Sequence, residues 1–317
     1  IDLPATIRGR VRPLRGLARD FSLTAVNEDM NAYSDPRQTK NEKRQEARDK
    51  ARELREKQSK QDKQKKIILQ SSIAVAVVAI IAIVAYFVTS SVPEATAGPR
   101  NMQSDGIKIG AGVQGIQTPA LLPDELPVPS ELNADGVPAI SIFLDYSCPA
   151  CAQFEAAYAP ILRTWLENGT ATVEYHLLSF RDAQTAGTRF ATRAANAGAC
   201  VADQDPDAFF DFNTLMFENQ PVAPERYELT DGQMVDIAGA SGVQDLERLS
   251  TCIEDETFSN WVGQATARAM STGPVPVKNS EIPLVKGTPT VLVNGKEFQP
   301  QVHGDLQSFV ASLEESE

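Results

Sequence analysis

The sequence predicts an α/β fold with a long helical stretch, preceded by a single transmembrane helix and a charged N-terminal segment. Three observations predict it: an uncharged apolar run over residues 67–88, a strand–helix–strand pattern over residues 139–180, and helical patterns over residues 182–272. The 317 residues, 42% of them hydrophobic, suit one large domain plus a further segment. Four cysteines are too few for a disulfide-dense scaffold, and the net charge of −12 argues against a general nucleic-acid binder.

Charge divides the chain into two parts. Residues 1–66 hold 18 Lys and Arg against 11 Asp and Glu, whereas the remainder holds 12 against 31. An asymmetry of this size suggests two compartments. Over residues 40–66 the only apolar side chains are Ala47, Ala51 and Leu54. With no apolar face to bury, this segment is expected to be largely disordered or partly helical. The first methionine is Met30, and we expect it to be the physiological start of translation. Residues 1–29 would then come from translation that begins upstream or from a fragment boundary.

The apolar run over residues 67–88 predicts a membrane-spanning helix. It contains no charge, proline or glycine, and at 1.5 Å per residue it reaches roughly 33 Å, enough for a hydrocarbon core of ~30 Å. A signal peptide cleaved after Ala97 is the alternative, but its apolar region would span only ~7–15 residues, so we favour an uncleaved signal anchor. Lysines crowd the N-terminal flank, and the first basic residue after the run is Arg100. The positive-inside rule therefore predicts a single-pass cell-membrane protein with residues 1–66 in the cytoplasm and residues 89–317 exported.

The exported part begins with residues 89–138, whose many prolines and glycines are typical of a spacer. We expect one short edge strand within it, at Ile107–Ile109. The next stretch predicts a buried strand over 139–145, a helix over 149–168 with one apolar face, and a second strand over 172–180. Pro149 suits the first turn of that helix, and Gly169 its end.

Two cysteines, Cys148 and Cys151, lie where the first strand meets the helix. A thiolate is the nucleophile in disulfide chemistry, and the N-terminus of a helix favours an anion. We therefore expect Cys148, with an exposed sulfur, to attack, and the more buried Cys151 to resolve the mixed disulfide. A structural disulfide or half of a zinc site is the alternative. Zinc needs four ligands, and the sequence has neither a second C-x-x-C nor paired histidines, since His176 falls in a strand and His303 opens the last helix.

The segment Leu144–Cys151, LDYSCPAC, resembles the active site of DsbA-like thiol:disulfide oxidoreductases, which have a thioredoxin fold. The resemblance covers residues 105–314 and is strongest to membrane-anchored actinobacterial forms. A second matching stretch is Val285–Gly295, VKGTPTVLVNG. There the resemblance implies that Pro289 is cis and packs against the dithiol, and that the backbone of Thr288 pairs with an extended substrate. The resemblance also implies that Pro149 and Ala150, which lie between the two cysteines, belong to this site.

The resemblance also implies how the domain is divided. The thioredoxin-like part comprises residues 139–181 and 273–317, and residues 182–272 form a helical insert. In this insert Cys200 and Cys252 are expected to form a structural disulfide, worth ~2–4 kcal/mol. Four phenylalanines between 209 and 217 could line a substrate groove, although core packing is favoured.

Two positions depart from the family pattern. No histidine separates the two active-site cysteines, so the redox potential cannot be carried over from strongly oxidising members. Six residues before Cys148, where such proteins often have a buried acid, this chain has Ile142. The nearest acid is Asp145, which is a candidate for proton transfer beside water, or simply a cap of the strand end.

These features predict an extracytoplasmic thiol:disulfide oxidoreductase that introduces disulfides into reduced, exported proteins. A reductase, such as one in cytochrome c maturation, and a redox-inactive binding module are the alternatives. The resemblance implies reoxidation by a membrane protein of the vitamin K epoxide reductase-like or DsbB-like type. We expect no cofactor, no metal and no nucleic-acid partner.

Overall fold

The computed structural model describes residues 45, 48–63, 79–80, 96–133, 136–221 and 228–314. The chain forms two units, residues 1–86 and residues 87–317. In the first unit, residues 48–63 are helical and exposed, and Lys57 pairs with Glu53 one turn away at 2.9 Å. Within the described ranges no helix has the length and apolar character needed to cross a membrane. The span predicted over 67–88 lies outside those ranges except for residues 79 and 80.

The second unit is built on one sheet, in which the described strands follow the order β2-β1-β4-β3-β5-β6. Strands β3 and β4 are parallel, and every other neighbouring pair is antiparallel. A parallel pair needs a crossover, which the helix between the two strands supplies. This confirms the predicted strand–helix–strand unit. The strands are β1 (Ile107–Gly110), β2 (Gln114–Gly115), β3 (Ala139–Leu144), β4 (Thr172–Leu177), β5 (Thr290–Val293) and β6 (Lys296–Glu297).

Helices of this unit cover the sheet and form the insert. The crossover helix α1 spans Pro149–Asn168, as predicted, with Pro149 in its first turn and Gly169 closing it at φ 66°. Its buried side includes Phe154, Leu162 and Leu166. The others are α2 (Phe190–Gln204), α3 (Phe209–Glu218), α4 (Asp231–Ala240), α5 (Leu246–Glu254), α6 (Ser259–Ala267), α7 (Pro300–His303) and α8 (Leu306–Glu314). His303 thus ends α7, where the sequence pattern placed it at the start of the last helix.

Helix α4 begins at a start signal that the sequence carries. Thr230 accepts a hydrogen bond from the backbone of Gln233, and the Gln233 side chain accepts one from the backbone of Thr230. This reciprocal capping box satisfies two backbone donors at the start of the helix. Helix α2 begins at Phe190, because Ala186 and Gly187 just before it have φ values of 53° and 84°, outside the helical region.

Residues 96–133 belong to the folded domain rather than to a spacer. Met102, Ile107, Ile109 and Leu121 are buried there. Strand β1 pairs with both β2 and β4, so it lies inside the sheet and not at its edge. The prolines and glycines of this segment indicate turns. The buried apolar side chains between the turns hold the segment in the folded domain. The prediction that residues 89–138 form a spacer is therefore wrong for most of this range, because residues 96–133 are part of the domain.

The insert packs on the sheet through aromatic side chains. Phe209, Phe210, Phe212 and Phe217 are all buried, and the ring centroid of Phe209 lies 5.8 Å from that of Tyr175 in β4. These phenylalanines therefore form core, the favoured of the two interpretations. Within the insert, a disulfide joins Cys200 of α2 to Cys252 of α5.

Candidate active site

The dithiol lies at the carboxyl end of β3, where the chain turns into α1. Cys148 is the N-cap residue of α1, and its backbone N–H donates to the Asp145 carbonyl at 2.9 Å. Cys151 lies in the first turn, with its N–H donating to the Cys148 carbonyl at 3.1 Å. Both cysteines are reduced thiols. Pro149 and Ala150, between them, are exposed to solvent.

The loop before β5 covers the first cysteine. Strands β3 and β5 are antiparallel with Phe143 opposite Thr290, so the residues before β5 meet the residues after β3. The Cys148 sulfur lies 3.3 Å from the Thr288 carbonyl, to which it donates when protonated, and the Thr288–Pro289 peptide bond is cis. Because of this cover Cys148 is only 4% exposed, which corrects the expectation of an exposed sulfur; Cys151 is 1% exposed.

The two thiols differ sharply in acidity. Hydrogen bonding from the Cys151 thiol lowers the pKa of Cys148 to about 5; burial opposes this, while the Thr288 side chain and the backbone N–H groups of Cys151 and Ala150 add to it. The pKa of Cys151 is raised far above its usual range, first by burial and then by its hydrogen bond to Cys148. At neutral pH Cys148 is therefore the thiolate, and Cys151 keeps its proton.

Asp145 ties the strand end to the turn. It is fully buried and accepts from the Ser147 N–H at 2.8 Å, the Ser147 hydroxyl at 2.7 Å and the Arg181 N–H at 3.1 Å. Burial raises the pKa of Asp145 to about 6, against the effect of these hydrogen bonds, and the nearby Cys148 thiolate raises it further. Asp145 is therefore a carboxyl group that interacts electrostatically with the Cys148 sulfur. Six residues before Cys148, Ile142 is a buried apolar residue of β3.

Gln220, which no sequence pattern singles out, contacts the site from the insert. Its side-chain amide donates to the carbonyl of Tyr146 at 2.7 Å and to that of Cys148 at 3.0 Å. Its partners are more than 70 positions away in the chain, and a glutamine just after a helix has no distinctive pattern. No local sequence signal identifies this contact.

The two histidines take structural positions. His176 in β4 is buried, with its ring stacked on that of Phe143 at a centroid distance of 4.3 Å, and burial lowers its pKa. His303 accepts a hydrogen bond at Nδ1 from the Gln299 N–H at 3.0 Å. These contacts give each ring a role in packing or in a turn.

Comparison with known proteins reveals several similarities. A family model described as thioredoxin matches residues 133–312. "Serine/threonine-protein kinase PknE" of Mycobacterium tuberculosis is 33% identical over 108 residues, which cover 33% of this chain and 19% of the kinase. The chain therefore spans about a fifth of that relative. "Disulfide bond formation protein D" of Bacillus subtilis is 27% identical over 167 residues, covering 52% of this chain and 67% of that protein. The crystal structure of reduced DsbA from Mycobacterium tuberculosis aligns with a TM-score of 0.46 at 22% identity, over 67% of this chain and 98% of that one.

Proposed function

The chain belongs to the thioredoxin family, and on that premise we propose that it is a thiol:disulfide oxidoreductase that introduces disulfides into exported proteins through Cys148 and Cys151. The observation that carries the proposal is the placement of two free cysteines at the N-terminus of α1, where the cis Thr288–Pro289 loop contacts the first of them. The acidities of the two thiols are shifted in opposite directions, which agrees with this placement. A structural disulfide needs no such difference, whereas thiol exchange needs one good leaving group and one protected thiol.

The reaction depends on this difference. In the oxidised enzyme a substrate thiolate attacks the sulfur of Cys148, so that a mixed disulfide forms and the bond to Cys151 breaks. Cys151 leaves as a thiolate and takes a proton. A second substrate thiolate then attacks the substrate sulfur of the mixed disulfide and releases Cys148 as a thiolate. The substrate loses two electrons and gains a disulfide, and the enzyme is left with its two cysteines reduced.

The direction of exchange depends on the charge on Cys148. Stabilising its thiolate stabilises the reduced enzyme, which makes the disulfide form an oxidant. Pro149 and Ala150 supply no imidazole between the cysteines, so we expect a moderate rather than a strong oxidant. A reductase uses the same residues in reverse, and the equilibrium potential against glutathione separates the two directions.

The proposed location is the outer side of the cell membrane, with residues 67–88 as anchor and residues 1–66 in the cytoplasm. The name of the Bacillus relative, "Disulfide bond formation protein D", supports a role in disulfide formation. Continued oxidation requires an electron acceptor, and a membrane protein of the vitamin K epoxide reductase-like or DsbB-like type is the proposed one. The proposed substrates are reduced, newly exported proteins.

Single-cysteine variants test the assignment of the two sulfurs. We expect Cys151→Ala to form long-lived mixed disulfides with a disulfide-containing probe protein, because Cys148 still attacks and nothing resolves the adduct. Cys148→Ala should form none. The measurement is a non-reducing gel after acid quenching, with refolding of a reduced, unfolded substrate by the wild type measured in parallel.

Two results would contradict the proposal. Adducts with Cys148→Ala but not with Cys151→Ala would reverse the two roles. If neither variant traps the probe and the wild type does not oxidise the reduced substrate, the oxidoreductase proposal fails and the binding-module alternative replaces it.

A further inference from the structure

Gln220 connects the helical insert to the backbone of the dithiol turn. The residue is only 8% exposed, and its one amide group donates to two carbonyls that are two residues apart, those of Tyr146 and Cys148. These carbonyls flank Ser147, at the bend between β3 and α1. A single rigid amide that bonds both of them fixes the curvature of the bend.

The insert holds Gln220 from its other side. The Gln220 N–H donates to the Phe217 carbonyl at 3.1 Å, and the Phe217 ring packs on the Tyr146 ring at 5.1 Å. The end of α3 therefore contacts Tyr146 twice, through a ring and through a hydrogen bond.

The bend matters for chemistry because it leads directly into the first turn of α1. The carbonyl of Cys148 also accepts from the N–H groups of Cys151 at 3.1 Å and Ala152 at 3.3 Å, which are the first bonds of α1. The N–H groups of Ala150 and Cys151 stabilise the Cys148 thiolate. Their direction depends on how the first turn is held.

We propose that Gln220 is a positioning residue of the Cys148–Cys151 site: by holding the carbonyls of Tyr146 and Cys148, it keeps the amides of the first turn of α1 directed at the Cys148 sulfur. This inference rests on the proposed thiol chemistry and adds a residue of the insert to it. Gln220 does not touch the reacting atoms in this role. It acts through the backbone.

The test compares Gln220→Met with Gln204→Met in the full chain. Methionine is close to glutamine in size but has no donors. Gln204 is a matched control, because its amide also donates to a backbone carbonyl within the insert, that of Asp245, at 2.6 Å. The measurement is the ultraviolet absorbance of the thiolate against pH in the reduced protein, together with the potential of the dithiol against glutathione.

We expect Gln220→Met to raise the thiolate midpoint by about one pH unit, the size of effect expected when one hydrogen bond's stabilisation is lost. The equilibrium constant for reduction of the enzyme by glutathione then falls about tenfold, which corresponds to a redox potential about 30 mV more negative. Gln204→Met should leave both values at those of the wild type. A purely structural role would lower the melting temperature of Gln220→Met and move neither value.

Three results would overturn the inference: a folded Gln220→Met with unchanged midpoint and potential, a change only in melting temperature, or an equal shift in Gln204→Met. Should Gln220→Met not fold, Gln220→Leu provides the same test, because leucine has no donors and brings no charge near the Cys148 sulfur. The absorbance titration needs no substrate. If the wild type shows no thiol exchange but Gln220→Met shifts the midpoint, the proposed function fails and the positioning role stands.

Discussion

The buried carboxyl group of Glu155 makes the stability of the folded protein depend on pH. It lies one turn beyond Cys151 on α1 and is 3% exposed. Neither of its carboxylate oxygens has a hydrogen-bond partner among the residues that the structure describes. Burial raises the pKa of Glu155 to about 7, and the neighbouring Asn213 amide opposes this. The group is therefore costly to fold in its charged form.

This cost predicts the effect of Glu155→Gln. Between the carboxyl's ordinary pKa near 4.5 and the folded value of about 7, the folded state holds a proton that the unfolded state has lost. The free energy of unfolding therefore falls as pH rises through this window, and stays low above it. Removing the charge should stabilise the protein by roughly 1–3 kcal/mol at about pH 8 and have little effect at about pH 4. Denaturant unfolding at the two pH values measures this.

Glu218→Gln is the control for that experiment, because Glu218 is an exposed carboxylate of the same region. It should change the free energy of unfolding little at either pH. A Glu155→Gln variant that is equally destabilised at both pH values would contradict the assigned protonation, since it would indicate a packing role alone.

At the scale of elements, the β5–β6 hairpin determines where the loop containing Thr288 lies. Its two-residue turn is Asn294-Gly295, with φ values of 49° and 84°, the combination that favours a tight hairpin of the right twist. Leu292 of β5 lies opposite Glu297 of β6 on one side and opposite Ser141 of β3 on the other. This hairpin therefore fixes the strand whose preceding loop covers Cys148.

Gly295→Ala should damage this element. An added Cβ would overlap the carbonyl of Asn279, a backbone group, and the positive φ disfavours any side chain. We expect a loss of at least about 2 kcal/mol in the free energy of unfolding. Gly232→Ala is the matched control, because Gly232 lies in α4 with open space around its Cα. There alanine should stabilise by about 0.5–1 kcal/mol. A Gly295→Ala variant as stable as the wild type would contradict the tight contact.

A structural feature can be predicted from the sequence when the residues that form it lie close together in the chain. Helix α1 and its flanking strands can be predicted from apolar periodicity within a short window, and so can the placement of Cys148 and Cys151 at the junction. Strand β1 is only four residues long, and its pairing with β4 joins residues more than 60 positions apart, so no local pattern reveals that it lies inside the sheet. Gln220 is missed for the same reason.

At the scale of the whole molecule, the division of charge predicts topology. With tags at both ends, protease added to intact spheroplasts should remove the tag after residue 317 and spare the one before residue 1. The lysines flanking residues 67–88 are the physical reason, because they favour the cytoplasmic side. A permeabilised sample, in which both tags are cut, is the control. Retention of the C-terminal tag in intact spheroplasts would refute the proposed orientation.

The placement of β1 has a practical consequence for anyone who cuts the domain at the start of the family match. Residues 107–115 supply β1 and β2, which lie before residue 133. A polypeptide that begins at residue 133 would leave one side of β4, along Val173 to Tyr175, without its neighbouring strand. A bare row of N–H and C=O groups is a template on which a second copy can add, so the shortened domain would tend to aggregate. The strands that the family match leaves out are the ones that cover this edge of β4.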